Sequence, residues 1–187
     1  MKGEIFNAFE KFIVSTANRD TFEEILEGVR AGLETQEPFV GPGTYPDADF
    51  FVIVRHAVAK LGLDRSAAIQ AFGVLLVPEL ARKVPELLER HQHPKSFLLT
   101  IHDVIHMEVK KVSPGAEPPT FTYENSAPNE LVMIYQSKRG LYDLVEGLIQ
   151  GCCNHFDVGV TVSRYMIKLY GVDACRFELD FEEPYHP

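Results

Sequence analysis

Apolar residues recur at helical spacing through the first two thirds of the chain and at alternate positions through much of the rest. Ile5, Phe6, Phe9, Phe12 and Ile13 predict one amphipathic helix, and Phe22, Ile25, Leu26, Val29 and Leu33 predict a second that Thr21 and Glu24 open in capping-box register. The Gly/Pro-rich stretch FVGPGTYPDAD, residues 39–49, reads as a loop. Residues 50–61 then resume as a helix that Gly62 can stop, and Asp64 caps a further helix to about residue 77. Pro78 and Pro85 break up the next stretch, and HQHP at 91–94 is a loop. Ser96 then opens a helix, SFLLTIHDVIHMEVKKV, which SPG at 113–115 ends.

Beyond residue 115 the period shortens to two. LVMIYQSKR (131–139), VTVSRYMIKLYG (160–171) and ACRFELDF (174–181) are strand-like, rich in β-branched and aromatic residues between turn formers. Between the first two lies GLYDLVEGLIQGCCNHF, whose Leu141, Leu144, Val145 and Leu148 form one helical stripe. Helices first, then strands with a helix among them, predict an α+β fold: a helical N-terminal part followed by an antiparallel sheet carrying a helix. No repeat, low-complexity tract or linker interrupts residues 1–187, which are expected to form one domain.

Composition narrows the function classes. With 45% hydrophobic and 24% charged residues in 187, the chain has the means to bury a core, and disorder is excluded. No apolar run approaches the roughly 18 residues of a membrane span, and MKGEIFNAFEKFIVSTA lacks a signal-peptide core, so a soluble, cytoplasmic protein is expected. A net charge of -9 argues against nucleic acid or an anionic membrane as the main partner. Cys152, Cys153 and Cys175 contain no CxxC pair and read as reduced, packed thiols.

Two stretches carry chemistry. In IHDVIHMEV, His102 and His106 are four residues apart and share a helix face. One use of that spacing is the HExxH zinc site, here HDVIH, with a shorter acid and a third ligand that is not signposted, for which His91, His93 or Glu108 are the candidates. Another is a single axial imidazole for haem iron on an apolar helix, with Leu99, Ile105 and Val109 covering the macrocycle. In YQSKR, Tyr135, Ser137 and Arg139 alternate, so a strand would place two hydroxyls and a guanidinium on one face, a set of donors suited to carboxylates. Haem needs both an axial ligand and a clamp for its two propionates.

The MKGEIFNAFE start, the DVIH segment, the KKVSPGAEPPTF connection, YQSKR and the helix after it together resemble the H-NOX family, the haem-nitric oxide/oxygen binding domains. That family includes the sensor domain of soluble guanylate cyclase and stand-alone bacterial proteins. The resemblance covers nearly the whole chain. It implies a distal helical lobe of about residues 1–62 and a proximal lobe with the sheet of about 63–187, with haem b buried between them. Counting back eight residues from Pro114 and aligning D-x-x-H, it implies His106 as the axial ligand and leaves His102 a structural role. Tyr135, Ser137 and Arg139 would hold the propionates, and Pro119 would press on the porphyrin. Ile5, Phe9, Leu76 and Leu144 would line the distal pocket.

Oxygen-binding members carry a hydrogen-bonding tyrosine at the position of Leu144, and tryptophan and asparagine at those of Phe9 and Leu76. Tyr142 is near, but a helix of 3.6 residues per turn points it about 160° away from Leu144. The resemblance therefore implies a non-enzymatic sensor that binds nitric oxide and carbon monoxide and excludes dioxygen. Nitric oxide would weaken the iron–His106 bond trans to itself. No effector domain is read before Pro187, so the signal is expected to act in trans on a histidine kinase or a cyclic-di-GMP enzyme (diguanylate cyclase or phosphodiesterase). A zinc hydrolase using HDVIH and a haem enzyme or store are the alternatives. Some relatives have a cysteine-rich zinc site, which three cysteines with two adjacent do not match.

Overall fold

The computed structural model describes residues 1–112 and 115–186. α1 (Gly3–Thr16) buries Phe6, Phe9, Phe12 and Ile13 on one face. α2 (Arg19–Val29) starts two residues before Thr21. Its cap is Asn18, whose side chain accepts the Thr21 N–H at 2.8 Å, so Thr21 lies inside the helix it was expected to open. A 3₁₀ turn (Arg30–Gly32) ends it, and buried Leu33 comes directly after that turn. Asp49 is buried and accepts the N–H groups of Glu34 and Thr35 at 2.8 and 3.0 Å, which ties this turn to α3 (Asp47–Leu61).

Gly62 stops α3 in the left-handed conformation at φ 63°, and Asp64 caps α4 (Arg65–Ala81) by accepting the Ala67 N–H. α4 runs past residue 77 with Pro78 inside it. A proline leaves the carbonyl four residues back without its helical donor; burial of Leu76 and Val77 beside that defect holds the helix together.

α5 (Pro85–Glu89) and α6 (Pro94–Leu98) are short. The single helix expected from Ser96 is broken instead into α6, a π turn over Ile101–His106 and α7 (Met107–Val112). The Ile105 N–H reaches five residues back to the Thr100 carbonyl at 3.2 Å. Such π turns concentrate at functional sites. Ser113 and Pro114, read as the end of that helix, lie outside the described residues.

The sheet has four antiparallel strands in the order β1-β2-β4-β3: β1 (Thr120–Glu124), β2 (Glu130–Gln136), β3 (Val160–Leu169) and β4 (Val172–Phe181). Phe121 and Tyr135 pair across β1 and β2, and Tyr135 pairs with Cys175 across β2 and β4. α8 (Tyr142–His155) lies between two cores. Leu144 joins the core of α1 to α4, whereas Val145, Ile149, Cys152 and Cys153 join the sheet's core with Phe121, Met133, Tyr135 and Phe177. The crossing with α4 is close because three glycines line it. A Cβ on Gly73 would sit 2.7 Å from the Leu144 carbonyl, one on Gly151 2.8 Å from the Val74 carbonyl, and one on Gly147 would strike the Gln70 carbonyl. Among the described residues no single helix is long and apolar enough to cross a membrane.

Candidate functional site

His106 is the last residue of the π turn, and its Nδ1 lies 3.1 Å from the Pro119 carbonyl. A carbonyl only accepts, so Nδ1 carries the proton and the lone pair is on Nε2. Burial pushes the pKa down to about 4; the Pro119 bond opposes this, and electrostatic interactions with His102 and Lys110 add to it. The imidazole is therefore neutral near pH 7. Its ring centre is 5.8 Å from that of Phe121, which is 5.4 Å from that of Tyr135. Phe121 thus stands between His106 and Tyr135, a role that sequence reasoning missed along with β1 itself. The available signal was the alternation of Thr with Phe and Tyr in TFTYE.

The neighbouring His102 is anchored to the same strand, its Nδ1 accepting the Phe121 N–H at 3.4 Å. Its nominated zinc partners are engaged elsewhere: His91 with Ser96, His93 with the Glu183 carbonyl, and Glu108 with Lys111. Among the described residues no three His, Cys, Asp or Glu side chains converge as a metal site.

YQSKR is not one strand face. β2 ends at Gln136, and Ser137 to Gly140 form a turn in which the Gly140 N–H meets the Ser137 carbonyl at 3.3 Å and Gly140 has φ 58°. The turn still gathers the three side chains. The buried Tyr135 hydroxyl bonds Ser137 and the Leu141 backbone, and burial raises its pKa. Ser137 Oγ accepts the Arg139 N–H at 3.2 Å. Arg139 Nε donates to Asp47 Oδ2 at 2.7 Å, and its Nη1 donates to the Glu117 carbonyl. Asp47, the first residue of α3, also holds the Met1 amino group at 2.8 Å. Burial raises the Asp47 pKa, but bonds from the amino group and Arg139 outweigh it and leave the carboxyl below its ordinary value. Arg139 therefore joins the turn after β2 to α3 and to the segment before β1. Asp47 was not nominated from the sequence, because its partner lies 92 residues away.

Phe9, Leu76 and Leu144 are buried in the first core, and half-buried Ile5 packs against it. Phe9 meets Phe50 and Phe72 edge-on at 5.5 and 5.1 Å. A cavity of about 180 Å³ borders Phe6, Phe9, Phe50 and Ile53. Tyr142 belongs to the other core, edge-on to Tyr135 at 5.7 Å. The three cysteines are buried, and burial pushes the thiols up, Cys153 to about 12 and Cys175 to about 11, so they are protonated.

These residues fit a haem by their chemistry: a neutral imidazole with Nε2 available, a guanidinium with two hydroxyls for carboxylates, and an apolar cluster. The Haem-NO-binding family model matches residues 2–164. An H-NOX protein from S. oneidensis in the Fe(II)NO ligation state is similar at 27% identity and TM-score 0.87, over 98% of this chain and 100% of that one. The Fe(II) unliganded H-NOX protein from K. algicida is similar at 25% identity and TM-score 0.87, over 100% of both chains. An oxygen-binding H-NOX domain related to soluble guanylate cyclases shares the fold at TM-score 0.85 and 22% identity, over 100% of this chain and 98% of that one. No curated protein sequence matches. Matched by the family model over most of its length, the chain belongs to the Haem-NO-binding family, the H-NOX domains, which are haem-based gas sensors.

Proposed function

We propose that this domain binds haem b through His106, takes nitric oxide and carbon monoxide but not dioxygen, and passes the ligation state in trans to a separate effector. The observation that carries the reading is the neutral His106 at the end of a π turn, with Nδ1 committed to the Pro119 carbonyl. Ferrous haem, when bound, supplies the position at which a diatomic gas coordinates. His106 supplies Nε2, and the bond to Pro119 fixes its ring orientation and tautomer. Tyr135, Ser137 and Arg139 would hold the propionates, with Asp47 keeping the guanidinium in place. Pro119 touches both roles, as the residue that presses on the ring and as the acceptor for the axial ligand.

Ile5, Phe9, Leu76 and Leu144 exclude water and offer no hydrogen bond, and Tyr142 belongs to the opposite core. Bound dioxygen carries partial negative charge and needs a donor; nitric oxide does not. His106, held by Pro119 at the end of the π turn, would be the residue through which a bound haem is tied to the boundary between the distal lobe (about 1–62) and the proximal lobe (about 63–187), so the ligation state would reach the fold through that turn. A cytoplasmic setting and a histidine kinase or cyclic-di-GMP enzyme as effector complete the reading. The S. oneidensis relative, described in its Fe(II)NO state, supports nitric oxide as the ligand.

His106→Gly tests the ligand. Haem content and the ferrous visible spectrum should be lost and restored by added imidazole, while His102→Gly keeps both. Dependence on imidazole in the His102 variant instead would overturn the assignment.

A further inference from the structure

His93 stands outside the haem chemistry, yet its surroundings are unusually demanding. The ring is buried, caps α6 by accepting the Lys95 N–H on Nδ1 at 3.1 Å, and has Nε2 3.0 Å from the Glu183 carbonyl. An amide N–H only donates and a carbonyl only accepts, so both bonds exist together only for a neutral ring protonated on Nε2. The ring packs on Phe181 at 5.2 Å and Tyr185 at 5.5 Å. Beside it Lys95, 2% exposed, donates its ammonium to the Ala127 and Pro128 carbonyls. Pro128 also accepts the Tyr185 N–H at 3.0 Å, and Asn129 accepts the Phe181 N–H at 2.8 Å. The β1–β2 loop, the segment after β4 and the start of α6 therefore meet here. α6 ends three residues before the π turn that carries His106.

We infer that neutral His93 is a proton-sensitive latch fastening the segment after β4 and the β1–β2 loop to the root of the His106 turn. Protonation sets an Nδ1–H against the Lys95 N–H, which removes the cap, and adds a second positive charge next to a buried ammonium. The charged and titratable groups nearby are Lys95 on α6, His91 before it, Glu130 at the start of β2, Asp180 on β4 (held by Asn129), and Glu182, Glu183 and Tyr185 after β4. Burial lowers the Lys95 pKa and the charge of Glu130 opposes that. The cap is lost whatever the charge of Lys95, because a protonated Nδ1 has no lone pair left to accept the Lys95 N–H. Acidification then releases Glu183–Tyr185 and loosens α6. The latch rests on hydrogen bonds alone, so it stands or falls independently of the haem ligand.

The experiment is amide hydrogen exchange of Lys95 and Tyr185 in the full chain, from about pH 8 down to the lowest pH at which Phe177 in β4 stays protected, corrected for intrinsic rates. Wild type should lose protection at both amides by about tenfold or more relative to Phe177 in β4. His93→Gln should not, because a glutamine amide both accepts and donates but does not take up a proton there. An equal loss in His93→Gln, or none in wild type, overturns the latch. Ring nitrogen NMR of wild type decides the matter if that variant does not fold. It should show the Nε2–H tautomer at pH 8 and a ring titration that coincides with loss of the Tyr185 amide; an Nδ1–H tautomer overturns the inference.

Discussion

At the residue scale, the proposed choice of gas turns on Leu144. It is buried in the first core while Tyr142, two residues earlier, packs on Tyr135 in the second. Leu144→Tyr should bring a hydroxyl donor into the apolar cluster. A hydrogen bond to a charged acceptor is worth roughly 1.5–3 kcal/mol, so dioxygen affinity should rise about tenfold to a hundredfold. Stopped-flow dioxygen dissociation checks this; a variant that folds, holds haem and still forms no dioxygen complex would place the distal pocket elsewhere. Single residues were unevenly legible in the sequence. His106 and YQSKR stood out because their chemistry is local to a few positions. Asp47 and Phe121 did not, since an ion pair between α3 and the turn after β2, or a ring between His106 and Tyr135, exists only after the chain has folded.

At the scale of elements, the α4–α8 crossing sets how the two cores meet. Gly147 has no room for a side chain against the Gln70 carbonyl, and that obstacle is backbone, which cannot rotate aside. Gly147→Ala should therefore destabilise the fold by about 1–3 kcal/mol, since overpacking forces the helices apart. Urea unfolding measures it, and a neutral result would show that the crossing gives way easily. The same substitution at Gly32, where a Cβ meets nothing within 4 Å, is the control. Long periodic helices and the strands β2 and β4 were legible because one face of each is buried; β3, none of whose residues is buried, was legible from its β-branched and aromatic residues between turn formers. β1 is only five residues long and sits before a loop, too short for period to separate it from an extended connection. The π turn was invisible because an i to i+5 bond leaves the hydrophobic pattern of a helix almost unchanged. Pro78 misled for the opposite reason: tertiary burial around it outweighed a local breaker.

At the scale of the whole molecule, the helical core and the sheet core meet at α8 and at the Arg139–Asp47 pair. The order of elements foretold a helical part followed by an antiparallel sheet carrying a helix, and the family match agrees with it; the ion pair that joins the two cores was not legible. Whether His106 and an apolar distal cluster make the proposed nitric-oxide sensor that rejects dioxygen can be read from one visible spectrum. The purified domain would be reduced without air and recorded before and after nitric oxide, and separately after air. The expected result is a haem spectrum that nitric oxide shifts and that air converts to no stable dioxygen complex. A stable dioxygen complex would contradict it by showing that a donor reaches the gas, with Tyr142 the first residue to examine.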